Sequence, residues 1–411
     1  MLPLGAEIVL PVFVSHSWVL PLNKGRISIP SLTGVRGVAA FWVFLTHLYG
    51  FAAHILNAPS LLRSSFLING FRGVDLFFIL SGFILMHVHA RDFKTISQNA
   101  LKRFFVTRFF RIYPLNTAIL LALVPLVLLA PSYVAAERSF SDPHFAYRVH
   151  NLSAAGFVQT LLLAQSWTVL KLGEWNIVSW TLSAEVLGYI LFPALAWGII
   201  RESSWWRCII YAVCSLLALT VLLFLSHHAN NNPTGTFGSV RMFFCFVAGI
   251  CLYRCFQLAP EYLASWASAI TWLAVVFIAI TLFVPSAPVF DAFGFAALVF
   301  GLAYQRGPVN RMLESRMSSY LGKISFSFYL SHFLIINIVS WAAEDWLTTR
   351  GLAVKAAALL ALLLLCLAVA SVLYDWVERP SQRFGRYLVK SWESDADAAP
   401  AAAETLASSN A

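Results

Sequence analysis

Two side chains that could take part in chemistry lie on one apolar stretch of membrane length, residues 31–51. Arg36 stands near its start and His47 near its middle, eleven residues apart. An α-helix turns by about 100° and rises by about 1.5 Å per residue, so both would face nearly the same side, roughly 16 Å apart. Ionisable residues inside a membrane span are costly and by default indicate a functional site. An interfacial arginine and a histidine with one buried hydrogen bond would also account for the pair.

Three further ionisable residues, Asp75, Glu185 and His332, interrupt other apolar stretches. At about 1.5 Å per residue, these three and His47 lie at similar depths, roughly 15–22 Å from the predicted cytoplasmic side. We therefore predict a polar chamber slightly above the middle of a hydrocarbon core about 30 Å thick. In it, His47 would be the general base, with Glu185 or Asp75 as the acid that orients its ring. His332 would be a second acid–base group or would hydrogen-bond the substrate.

A second chemical feature is the basic and aromatic segment LKRFFVTRFFRIYPLN, residues 101–116. Arg108 and Arg111 are three residues apart and would share one helix face. Guanidinium groups bind phosphate and pyrophosphate oxygens in a forked geometry. Contact with anionic lipid headgroups is the alternative explanation.

The composition identifies a polytopic membrane protein. The 411 residues are 59% hydrophobic and 11% charged, whereas soluble domains have about 25% charged residues. The net charge of +9 is better explained by membrane topology than by nucleic-acid binding, because the basic residues cluster in short connectors. The six cysteines lie in or beside apolar runs without metal-ligand spacing, so we expect neither a disulfide framework nor a metal site.

These residues must be positioned by membrane-spanning helices, each needing roughly 20 apolar residues. We predict an all-α integral membrane protein with about ten spans and with both termini in the cytoplasm. With that topology, 19 of the 28 Lys and Arg residues lie inside and eight outside, Arg36 being within a span. The predicted spans are 33–54, 70–90, 112–131, 177–199, 206–226, 237–254, 264–284, 288–305, 322–342 and 353–375.

The remaining segments have distinct predicted roles. Residues 152–166 are short and contain polar side chains, so they are predicted to be interfacial or re-entrant. Residues 132–176 form the longest outer connector, with His144 and His150. We divide the chain into an N-terminal cytoplasmic or interfacial segment (1–30), a membrane domain (31–385) and a disordered C-terminal tail (386–411).

Six short motifs follow one another between roughly residues 30 and 385. They are Arg36-Gly37-x-Ala39 with His47, GVDLFFILSGF from Gly73, Arg108-Phe-Phe-Arg111-Ile-Tyr113-Pro114, WTLSAE from Trp180, ISFSFYLSH from Ile324, and Glu378-Arg379-Pro380. Taken in this order, the motifs resemble those of the acyltransferase family 3 membrane proteins. Phe326 is a small departure, because the family often has tyrosine there.

The resemblance implies transfer of an acyl group, typically acetyl, from cytoplasmic acyl-CoA to a hydroxyl of an extracytoplasmic glycan or glycolipid. It implies that His47 is the catalytic histidine and that Arg108, Arg111 and Tyr113 bind the donor, with Arg36 as a donor-side or structural partner. The expected partners are acyl-CoA as donor substrate, a carbohydrate or lipid-linked carbohydrate acceptor, and membrane lipids, with no permanently bound cofactor. The expected location is a bacterial plasma membrane.

Two other functions share the predicted architecture. A transporter or flippase of lipid-linked sugars or small metabolites would also have ten spans and polar residues near the midplane. A non-catalytic assembly partner is the third hypothesis. Direct transfer and transfer through a covalent acyl-histidine are both open at this point.

Overall fold

The computed structural model describes residues 29–58, 60–61, 64–129, 153–168, 170, 175–226, 235–284 and 290–392. Every regular element within these residues is helical. Nine of the helices in this part of the chain are long and apolar enough to cross a membrane. The described part of the chain is therefore all-α, and its long apolar helices are those of a multi-pass integral membrane protein.

The α-helices are numbered in chain order. They are α1 (Pro30–Leu56), α2 (Ser65–Ile68), α3 (Gly73–His89), α4 (Gln98–Leu129), α5 (Ala154–Leu161), α6 (Trp180–Ile199), α7 (Trp205–Leu225), α8 (Gly235–Leu258), α9 (Tyr262–Phe283), α10 (Asp291–Ala303), α11 (Pro308–Leu313), α12 (Arg316–Thr348) and α13 (Leu352–Leu373). Short 3-10 turns, Asn69–Arg72 and Ile177–Ser179, precede α3 and α6.

Helix boundaries follow from local signals in the sequence. Pro30 occupies the first turn of α1, where its missing N–H costs no hydrogen bond. Asn57, in the left-handed conformation, ends the same helix. Ser315 caps α12 by accepting a hydrogen bond from the Ser318 amide.

One predicted span differs from the structure. The segment predicted as 288–305 contains α10, whose 13 residues extend about 20 Å, less than the hydrocarbon thickness of about 30 Å. Its first residue, Asp291, is buried and paired with Arg72. A charged residue therefore lies within the segment that we predicted, from hydropathy alone, to cross the membrane. The cytoplasmic placement of both termini stays a prediction.

Two further segments, α5 and the C-terminal helix, bear on the predicted organisation of the chain. Helix α5 has eight residues, fewer than a membrane crossing needs, and the interfacial or re-entrant placement of residues 152–166 stays a prediction. The C-terminal helix continues as one apolar-to-basic element, Leu352–Trp392, so residues 386–392 are helical and the predicted tail would start later. Residues 1–28, 393–411, His144 and His150 lie outside the described residues.

Close helix packing brings the chemical residues together. Gly37 of α1 lies against the backbone of Leu321 and Gly322 in α12, and a side chain at this position would collide with it. Gly82 of α3 lies in the same way against the backbone of Phe246 in α8. Small residues permit such approach between membrane helices. The α1–α12 contact carries the histidines of the candidate site.

Candidate active site

His47 of α1 and His332 of α12 are hydrogen-bonded to each other, with 2.9 Å between His47 Nδ1 and His332 Nε2. Phe333 meets the His47 ring edge-on at 5.0 Å between centroids. Phe44 and Phe328 lie against the His332 ring. His332 is completely buried, whereas His47 is half-buried. Of the two, His47 is the one that a substrate could reach.

The hydrogen bonds of His332 assign the proton positions of the pair. His332 Nδ1 faces the Phe328 carbonyl oxygen at 3.0 Å, and because a carbonyl only accepts, Nδ1 carries the proton. In the neutral ring, Nε2 of His332 is then an acceptor, so His47 donates from Nδ1. The lone pair of His47 is consequently on Nε2. His332 thus orients the ring, the role for which the sequence suggested a carboxylate.

A cavity of about 400 Å³ lies between α1, α3, α4, α6, α12 and the C-terminal helix. Four arginines line it, and Glu185 is the one carboxylate among its described lining residues. Tyr329 also lines the cavity, and its ring lies 5.9 Å from that of His332. The inner wall of a positively charged cavity therefore adjoins the histidine pair. The four arginines are Arg36, Arg108, Arg111 and Arg386.

Arg108 is held in the cavity wall by surrounding side chains. His89 Nε2 accepts a hydrogen bond from Arg108 Nη2 (3.2 Å), because a guanidinium can only donate. His89 Nδ1 then donates to Asp92 Oδ2 at 3.0 Å. The rings of Phe104 and Tyr189 lie 5.9 and 5.8 Å from the guanidinium carbon of Arg108. These contacts fix the direction of the guanidinium group before any ligand binds.

Glu185 lies in the same wall. Its Oε1 accepts hydrogen bonds from Ser81 Oγ (2.7 Å) and Tyr189 Oη (2.8 Å). No hydrogen bond joins Glu185 to His47 within the described residues. Glu185, predicted as a possible orienting acid of His47, therefore lies in the cavity wall with Ser81 and Tyr189 as its hydrogen-bond partners.

Arg36 and Arg111, which line the cavity, interact with a buried carboxylate that is not among its lining residues and that the sequence did not single out as a site residue. Glu378 has electrostatic interactions with both arginines. Its two carboxylate oxygens accept hydrogen bonds from Ser327 Oγ (2.7 Å) and Gln382 Nε2 (3.0 Å). Glu378 ends a π-helical turn, Tyr374–Glu378, and such turns often occur at functional sites.

A family model matches most of the chain. The acyltransferase 3 family model, described as an acyltransferase domain, matches residues 29–375. The chain belongs to the acyltransferase 3 family. The match contains the histidine pair and every residue that lines the cavity except Gln382 and Arg386.

Two relatives extend the comparison. Acyltransferase MdmB of Streptomyces mycarofaciens is 28% identical over 389 residues, which cover 87% of this chain and 92% of that protein. "Putative O-acetyltransferase SACOL0978" of Staphylococcus aureus (strain COL) is 20% identical over 337 residues, covering 76% of this chain and 51% of the relative. The chain thus matches about half the length of the staphylococcal protein. No solved structure matches the chain.

Family membership and these relatives identify a membrane O-acyltransferase. This finding favours the enzyme over the transporter and over the assembly partner as the general function. It leaves the donor and the acceptor to be inferred from the site.

Asp75 is not the orienting acid in this acyltransferase. Its carboxylate forms a forked ion pair with Arg241 of α8, with Nε–Oδ1 at 3.1 Å and Nη2–Oδ2 at 2.9 Å. Arg241, which lies within the predicted span 237–254, is buried within α8. The pair lies beside that of Arg72 and Asp291, with which it interacts electrostatically. Asp75 is a half-buried polar residue inside a span, as predicted, but its partner is a cation.

This geometry predicts a structural effect of substitution. Asp75→Leu would leave Arg241 buried without its counter-charge, which typically costs about 3–5 kcal/mol. We expect a lower thermal unfolding temperature in detergent, and recovery of most of it in the double variant Asp75→Leu/Arg241→Met. If Asp75 oriented the catalytic base, Asp75→Leu would instead lower kcat at an unchanged unfolding temperature.

Tyr113 also lies away from the cavity. Its hydroxyl donates to the Leu162 carbonyl oxygen at 3.3 Å, and its ring stacks on Phe109. Tyr113 is two residues beyond Arg111, so its side chain points about 200° around α4 from that arginine. It supports the segment after α5 instead of lining the cavity.

Proposed function

We propose that this protein transfers an acyl group, most simply acetyl, from a cytoplasmic acyl-CoA to a hydroxyl of an extracytoplasmic glycan or glycolipid. The observation that carries the proposal is the cavity lined by arginines whose inner wall adjoins the His47–His332 pair. We also propose a bacterial plasma membrane as the location, because a plasma membrane separates a donor made inside the cell from an acceptor that lies outside.

The charge of the cavity supports an acyl-CoA donor. A CoA thioester carries a pyrophosphate, and Arg108 and Arg111 lie on one helix face in the cavity wall. Forked guanidinium contacts to phosphate oxygens are among the stronger hydrogen bonds in proteins. The predicted topology gives 19 Lys and Arg residues to the cytoplasmic side, which is the side of the donor.

The histidine pair supports transfer to a hydroxyl. His47 Nε2 would accept the proton of the acceptor hydroxyl as its oxygen attacks the thioester carbonyl carbon. The carbon–sulfur bond then breaks, and the same proton passes to the thiolate to give free CoA. His332 would keep the ring in the reactive tautomer and share the imidazolium proton. A covalent acyl-histidine would use the same Nε2 lone pair.

The name of the staphylococcal relative, an O-acetyltransferase, supports acetyl as the transferred group. The name of the streptomycete relative specifies only an acyltransferase. For this chain, acetyl is therefore the first donor to test.

The function is tested by removing the gene from its host and measuring the masses of envelope polysaccharides and glycolipids. We expect one hydroxyl-bearing component to lose the mass of an acyl group and to regain it when the gene is restored. Unchanged masses in every envelope fraction, with the protein demonstrably present in the parent membrane, would contradict the proposal.

A further inference from the structure

The helix that follows the π-helical turn Tyr374–Glu378 packs against the part of α4 that carries Arg108 and Arg111. Ser381 Oγ donates to the Phe110 carbonyl oxygen at 2.9 Å. The rings of Phe384 and Phe110 meet edge-on at 5.3 Å. At Gly385 a Cβ would lie only 2.7 Å from Phe110 Cβ, so this contact requires the glycine. The C-terminal extension formed by this helix is thereby held against Phe110, the residue immediately before Arg111.

This fixed extension supplies two polar side chains to the cavity, Gln382 and Arg386, one helical turn apart. Arg386 is exposed, whereas Arg36, Arg108 and Arg111 are half-buried. Arg386 lies eight residues beyond Glu378, about 12 Å further along the helix. The cavity thus has three half-buried guanidinium groups and an exposed fourth one, which the C-terminal helix supplies.

We propose that Arg386, assisted by Gln382, binds the ribose monophosphate of a CoA-type donor, apart from the pyrophosphate at Arg108 and Arg111. The assignment rests on the proposed acyl-CoA donor. Such a donor carries two separated anionic groups, and the cavity has half-buried guanidinium groups on α1 and α4 and an exposed one on the C-terminal helix. A phosphate monoester carries a charge of about −1.5 to −2 near neutral pH, and a guanidinium fork matches its oxygens.

The competing role of Arg386 is contact with anionic lipid headgroups. Arg383 serves as the matched control, because it is exposed on the same helix, has the same charge and is not among the residues that line the cavity. A lipid-anchoring role predicts similar effects of substitution at the two arginines. Binding of the donor phosphate predicts an effect at Arg386 alone.

The test compares acetyl-CoA with its 3′-dephospho analogue in the purified full-length protein. We expect the wild type to have a KM about 5–10-fold lower for acetyl-CoA, as a charge-assisted contact in a solvated position allows. Arg386→Gln should raise the KM for acetyl-CoA to that for the analogue, with unchanged kcat. Arg383→Gln should retain the wild-type preference, and Arg386→Lys should retain part of it.

The assignment would be overturned if Arg386→Gln kept the preference, if Arg383→Gln lost it equally, or if the wild type used both thioesters with the same KM. The last of these results would leave the acyl-CoA donor intact. Use of neither thioester by the wild type would overturn the proposed function together with the assignment. Thermal unfolding of each variant in detergent shows whether it is folded.

Discussion

His47→Ala is expected to lower kcat for acyl transfer by about 10²–10⁴-fold, the usual contribution of a positioned general base. The expectation follows from the hydrogen bonds that put the proton of the neutral His47 ring on Nδ1 and its basic lone pair on Nε2, in a ring that is half-buried beside the wholly buried His332. Binding of acyl-CoA should change little, because the donor cavity is lined by other residues. Kinetics of CoA release and equilibrium binding of the donor would measure the two effects separately.

His54→Ala is the matched control. His54 lies on α1 seven residues after His47, its side chain is 45% exposed, and it pairs with Glu344 instead of the site residues. Its loss should leave kcat near the wild-type value. Acylation at the wild-type rate by His47→Ala, at normal protein levels in the membrane, would contradict the assignment of the base.

The double substitution Arg108→Ala/Arg111→Ala should raise the KM for acyl-CoA by at least about 10-fold and by up to about 100-fold, with little effect on the acceptor KM. Hydrogen bonds to charged groups contribute about 1.5–3 kcal/mol each. The loss of donor binding should be smaller than the sum of two such contributions, because solvent screens the contacts and the remaining arginines still bind the donor. The ion pairs with the donor are screened by salt, so the wild-type KM for the donor should also rise with ionic strength.

Arg306→Ala is the control for this pair, since Arg306 is an exposed cation that does not line the cavity. It should leave both KM values unchanged. Equal weakening of donor and acceptor by Arg108→Ala/Arg111→Ala would favour the lipid-anchoring explanation for the two arginines.

Much of the fold could be predicted from the sequence, because membrane spans are read from length and hydropathy. Nine predicted spans correspond to long apolar helices in the described residues. The exception, α10, is a short helix that begins with the buried Asp291. Its pairing with Arg72 depends on contacts between distant segments, which a sliding average of hydropathy does not contain.

For the site, the sequence predicted which residues are buried and polar better than it predicted their partners. His47 and His332 were placed at similar depths and are in contact. Asp75 was also placed at this depth, and it pairs with Arg241 of α8. Depth along a helix does not show which neighbouring helix supplies the partner. Arg36, Arg108 and Arg111 do share one cavity.

Arg386 was counted only as a cytoplasmic charge, because no motif surrounds it. The signal that could have drawn attention to it is Pro380 inside a helical pattern. Proline lacks the N–H of a regular helix, and a π-helical turn occupies the residues just before it, ending at Glu378. Two of the residues that follow, Gln382 and Arg386, line the cavity.

The most direct measurement uses the protein reconstituted in one orientation in sealed vesicles, with acyl-labelled acetyl-CoA on one side and envelope glycolipid on the other. We expect labelled acetyl on the acceptor and free CoA on the donor side when the thioester is at the face carrying Arg108 and Arg111, and neither product with His47→Ala. Acylation only when donor and acceptor share one side, or at equal rates with His47→Ala, would contradict transfer through this site.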